Sequence, residues 1–147
     1  MAVLLAIAVT TVACEAGPSS RTFGGVFPAD GAIPVMPVVL TDETGLVMDV
    51  TFDVGAQGLQ GAPGVEGDSG ISLVPADPNA VQIRWMGGAC DLRTDVRLRS
   101  AILGGMILSG RTERDQAACR AVGIRRSMVL HFGGPVDLSR IGAESFE

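Results

Sequence analysis

The chain has 147 residues, 47% hydrophobic but only 4% aromatic, with 20 glycines and 8 prolines, which suits one core of Val, Leu, Ile and Met on short strands better than long helices. Its net charge of −5 excludes general nucleic-acid binding, which needs a basic face to neutralise phosphates. The charge is uneven: residues 15–83 carry nine acids and one arginine, whereas residues 84–147 carry ten arginines and seven acids.

Residues 2–13 read AVLLAIAVTTVA, an uncharged run shorter than the roughly 20 residues of a membrane-spanning helix but suited to the apolar region of a secretory signal. Cys14 follows at once. The segment Thr11, Val12, Ala13, Cys14 resembles the lipobox of bacterial lipoproteins. That resemblance implies removal of residues 1–13, lipidation of Cys14, and an address on the outer side of the cytoplasmic membrane or, failing lipidation, secretion. It implies no activity. Residues 15–25, rich in Gly, Pro and Ser, read as a flexible tether that continues from Cys14. A single domain is expected over 26–147.

Pro28, Ala29, Asp30 and Gly31 form a turn signal, and the order Pro, Ala, Asp, Gly, Ala before a valine resembles the entry to bacterial immunoglobulin-like modules. Ile33 to Leu40 is β-branched but interrupted by Pro34 and Pro37, which predicts an edge strand. After a polar turn over Thr41 to Gly45, the apolar residues Leu46, Met48, Val50, Phe52 and Val54 alternate with Val47, Asp49, Thr51 and Asp53. This is the cleanest period-2 pattern in the chain and predicts a half-buried strand with an antiparallel neighbour, either the 33–40 run or a later strand.

Glycine then recurs at every third residue from Gly55 to Gly70. Collagen requires this period, yet Pro63 is the only proline in the triplets, far below collagen composition. A glycine-rich loop between strands is the preferred reading, and a trimerising collagen-like interaction module is the alternative. Ile71 to Val74 resumes a strand, and Pro75 to Asn79 predicts a turn. Val81, Ile83 and Trp85 alternate into the next strand, with Trp85 in phase as a core anchor. Strands are further expected around Val96 and Leu98, over Met106 to Leu108 after the Gly104-Gly105 turn, and over Met128 to Phe132. Gly110 to Gln116 reads as polar connection, 117–122 as one helical turn, Val136 to Ile141 as a short terminal extension, and the last residues as a fraying end.

Seven or eight short strands at this spacing predict an all-β, antiparallel β-sandwich, immunoglobulin-like in general architecture. The stretches Trp85 to Asp91 and Ala118 to Asp137 resemble segments of secreted proteins from high-GC bacteria, a resemblance that implies no activity. With Cys14 assigned to lipid, the remaining cysteines are Cys90 and Cys119, which predicts a single structural disulfide. Closing about 30 residues, it would contribute roughly 3–4 kcal/mol on the chain-entropy model.

Candidate chemistry is sparse. The only histidine, His131, lies on the same strand face as Ser127, about 13 Å away at 3.3 Å per residue, too far for a nucleophile and base in direct contact. Asp49, Asp53, Glu66 and Asp68 offer oxygens, but without the spacing of a calcium loop. No zinc spacing, nucleophile elbow or phosphate-binding loop is present. No metal, cofactor or catalytic residue is assigned. One binding patch is a candidate: Arg84, Arg93, Arg97, Arg99, Arg125 and Arg126 could receive an anionic ligand or a lipid headgroup. The bland alternative is that acidic and basic strands simply face each other. The functional expectation is an envelope-tethered, non-enzymatic binding or structural domain that meets the membrane through Cys14, with an envelope protein or anionic ligand as partner. The alternative is a secreted small-ligand carrier or enzyme whose site is assembled from separated residues.

Overall fold

A computed structural model describes residues 19–27, 35–54, 70–115 and 123–146. Among the described residues, nine strands form two sheets that do not close into a barrel. The first sheet has the order β1-β2-β6-β7-β9, built from Arg21–Phe27, Met36–Asp42, Asp91–Ser100, Met106–Arg114 and Ile141–Phe146. The second has the order β3-β8-β5-β4, built from Val47–Val54, Gly123–Phe132, Asp77–Gly88 and Gly70–Val74. A 3-10 turn, Leu138–Arg140, precedes β9.

Period-2 alternation produces the core. Met36, Val38 and Leu40 of β2 with Val96 and Leu98 of β6 face Val81, Ile83 and Trp85 of β5 with Met128 and Leu130 of β8, all buried. Trp85 is the core anchor its phase predicted. Its ring meets Phe27 edge-on at 5.6 Å between centroids, and Phe27 meets Phe52 at 6.1 Å. Gly25 leaves space on β1 that the Phe52 ring occupies, since an added Cβ there would collide with it. One side of the sandwich is thereby sealed by β1 against β3.

Several expectations need correction. The sandwich is mixed rather than antiparallel, because β2 pairs β6 and β7 pairs β9 in parallel. The run through Pro37 is not an edge strand: β2 lies between β1 and β6. Pro37 is compatible with this place because it pairs only with Val26, and pairing with β6 begins at Val38. The edge is β1, Arg21–Phe27, whose first residues belong to the stretch read as tether. The alternation in β3 also breaks. A bulge sets Val47 opposite Phe132 and Asp49 opposite His131, which buries Val47 and leaves Met48 exposed. The antiparallel neighbour of β3 is the later strand β8. Strand β7 continues to Arg114 through residues read as connection, and the last residues, read as a fraying end, form β9 from Ile141 to Phe146. The helical turn expected over 117–122 and the glycine triplets before Gly70 lie outside the described residues.

Candidate functional site: the cleft end of the sandwich

The β2–β3 turn, the β4–β5 turn, the β6–β7 turn, the link from β8 to β9 and the entry of the chain at Arg21 all fall at one end of the sandwich, as the registers of the strands require. Between them opens a cleft of about 480 Å³. Leu46 from the first turn, Met48 from β3, Met106 from β7, Phe132 from β8 and Val136 from the link supply its apolar wall; Asp137 and Arg140 supply its polar one.

Local chemistry fixes each wall. Asp42 ends β2 with a fully buried side chain. Its Oδ1 accepts hydrogen bonds from the Thr44 N–H at 2.9 Å and from the Thr44 hydroxyl, and its Oδ2 accepts from the Val47 N–H at 2.9 Å. The Thr44 hydroxyl oxygen accepts in turn from the Leu46 N–H at 3.2 Å. Gly45 closes the turn at φ 69°, in the left-handed region. This network holds Leu46 and Met48 out toward the cleft, and both are more than half exposed. On the facing side, Gly104 and Gly105 adopt φ 82° and 101°. A Cβ at Gly105 would run into the Arg140 carbonyl, so the turn and the link pack backbone to backbone. Asp137 caps the 3-10 turn, accepting from the Ser139 N–H at 3.0 Å and its hydroxyl at 2.7 Å. The Ser139 hydroxyl, then the Ser139 N–H, hold the Asp137 carboxyl below its ordinary range.

Beyond the wall, Ile102 and Leu103 stand at the tip of the β6–β7 turn with essentially complete exposure, 102% and 99%. Neither contributes to the core. The Arg140 guanidinium lies beside Gly104 in the same turn, and Arg21, at the chain entry, donates to the Val47 carbonyl at 3.2 Å.

The six arginines read as one patch are not one surface. Arg84 and Arg125 lie on the outer face of the second sheet, as the register of β5 on β8 dictates. Arg93, Arg97 and Arg99 lie on β6, on the outer face of the first, where Arg93 pairs with Asp95 at 2.7 Å, Arg97 with Glu43 at 3.2 Å and Arg99 with Glu144 at 2.6 Å. Arg126 is in phase with Met128 and points into the core, only 2% exposed. Its guanidinium sits 5.3 Å from the Phe27 ring centroid and 4.0 Å from the buried Asp91 carboxylate. Burial pushes its pKa below the ordinary arginine value, and Asp91 opposes that shift. Asp91 also accepts from the Gly88 N–H at 2.6 Å and from Arg114 at 3.2 Å. This cluster ties together the end of the sandwich opposite the cleft.

Cys90 lies in that same opposite end, between β5 and β6. Cys14 and Cys119 lie outside the described residues. His131 is on the outer face of β8, with Nδ1 3.7 Å from an Asp77 carboxylate oxygen. Ser127 shares that face with Val129 between them. Among the described residues no group of three or more His, Cys, Asp or Glu side chains could hold a metal ion, and no helix is long and apolar enough to cross a membrane. Asp49 is on the outer face, paired opposite His131, while Glu66 and Asp68 lie outside the described residues. No family model, curated protein or solved structure matches the chain.

Two features of the site escaped the sequence. The Asp42, Thr44, Gly45 network carries the side-chain pattern of an Asx turn, which a generic polar turn conceals. Ile102 and Leu103 stood next to a glycine pair, and two large apolar residues at a turn are themselves a signal.

Proposed function

We propose that the chain is an envelope-tethered, non-enzymatic β-sandwich, anchored through lipid on Cys14, that presents its cleft end as a binding or structural surface. The observation that carries this reading is where the tether meets the fold. The edge strand β1 begins at Arg21, shortly after a lipobox-like segment and a short Gly, Pro and Ser stretch, and it starts at the cleft end of the sandwich. A packed two-sheet core accords better with a display domain than with an enclosed carrier. Membrane fractionation of the native host tests this. The unsubstituted protein should pellet with membranes and resist a salt wash, and Cys14→Ser should move to the soluble envelope fraction or the medium. Identical behaviour of the two would overturn the reading.

A Cys90–Cys119 disulfide belongs to the same proposal. The Asp115 N–H donates to the Cys90 carbonyl at 2.9 Å, and Gly123 pairs with Gly88. Cys119 is therefore four residues from each of two anchors beside Cys90, within reach at about 3.5 Å per residue. An immunoglobulin-like general architecture is part of the proposal, supported by a tryptophan packed between two sheets near a cysteine. Small-ligand carriage is the second reading, favoured by the apolar wall of Leu46, Met48, Met106 and Phe132.

A further inference from the structure

We infer that the cleft end rests on the lipid surface, with Ile102 and Leu103 inserted at the boundary between headgroups and acyl chains. The inference rests on the tether reading and specifies what the tethered end does. Ile102 and Leu103 are fully exposed and serve no contact in the fold, so folding supplies no reason for two large apolar side chains at the tip of the β6–β7 turn. Leu46 and Met48 extend the apolar surface at the same end. Arg140 beside Gly104 and Arg21 at the entry add cations that suit a headgroup phosphate.

Geometry selects lipid as the occupant. Cys14 and Arg21 are seven residues apart, so the tether spans at most about 25 Å when fully extended. The chain enters on β1, and the tip lies between β6 and β7, two to three strands across the sheet or roughly 12 Å at 4.8 Å per strand. An acyl chain on Cys14 thus keeps the tip close to the bilayer at high effective concentration. The opposite end, with the Asp91 and Arg126 cluster, lies farther by about the 33 Å length of a ten-residue strand. Insertion of apolar side chains by about 5–10 Å is how interfacial segments bind.

The test uses the full-length protein purified from its host and reconstituted on vesicles of phosphatidylethanolamine and phosphatidylglycerol, with a fraction of lipids brominated near the top of the acyl chains. The only native tryptophan, Trp85, is buried in the core and gives a constant background. L103W should show a blue shift and loss of emission to the brominated lipids. L92W, at a half-exposed position at the opposite end, should show neither. If the protein floats with vesicles but L103W is neither shifted nor quenched, the tip inference is overturned and the tether stands; tip cross-linking to a second protein in that case would assign the surface to a protein partner. Equal quenching of both variants would also overturn it. Failure of the unsubstituted protein to float would overturn the tether reading and the inference with it.

Discussion

Removing the Asp42 carboxylate should unfasten the β2–β3 turn and cost the domain a large part of its stability. Asp42→Ala leaves the Thr44 and Val47 N–H groups without their acceptor in a site from which water is excluded. A buried donor left unsatisfied costs about 1–3 kcal/mol, so two such donors and the lost hydroxyl contact together predict a loss of about 3–4 kcal/mol. With a urea m-value of roughly 1.5 kcal/mol/M for a domain of this size, the unfolding midpoint should fall by about 2 M. Asp42→Asn keeps one oxygen for Thr44 but sets its amide against the Val47 N–H, and should lose about half as much. Urea titration followed by Trp85 fluorescence reads these values. A midpoint for Asp42→Ala within about 0.3 M of the unsubstituted protein would refute the claim that this carboxylate organises the cleft wall.

Arg126 and Asp91 should behave asymmetrically. Asp91→Ala strands a buried guanidinium and should cost about 3–5 kcal/mol, whereas Arg126→Met fills the core with an apolar side chain and should be close to neutral; the double variant should recover most of the Asp91→Ala loss in denaturant titrations. At the β6–β7 turn, Gly105→Ala meets both a positive φ and the Arg140 carbonyl, and should destabilise by about 2 kcal/mol or more. Gly134→Ala, with open space around it, should be neutral within about 0.5 kcal/mol. The lowered pKa of Asp137 links the 3-10 turn to acid. Its contribution is complete above the ordinary carboxylate value of 3.8 and fades as the pH falls through the lower folded value. NMR titration of the Ser139 amide should show its shift moving only below that value, and Asp137→Asn should abolish the transition.

Where burial followed strict alternation, the sequence disclosed the fold. Val81, Ile83 and Trp85, like Met128, Leu130 and Phe132, alternate without interruption, and their strands pair through the centre of the second sheet. Legibility failed where an element depended on a partner far away in the chain. Strand β1 is glycine-rich and β9 short; each becomes a strand by pairing with an edge already formed, which no local pattern records. The bulge after Val47 exchanged the two faces at the start of the most regular alternation in the chain, turning Val47 inward and Met48 outward, while Val50 and Phe52 kept the expected inward phase. Arg125 and Arg126 are adjacent in the sequence, but neighbouring residues on a strand face opposite ways, which puts Arg126 in the core and not on a shared patch. The cleft combines turns from Gly45, Gly105 and Val136, separated too widely for any motif to announce them.

The most direct test of the tethered, cross-linked domain is the intact mass of the mature protein from its native host, measured with and without reductant. A chain beginning at Cys14 that carries the added mass of two or three acyl groups, and gains two hydrogens on reduction, is the expected result. An unprocessed chain with three free thiols would contradict it, removing the anchor and the Cys90–Cys119 bond together.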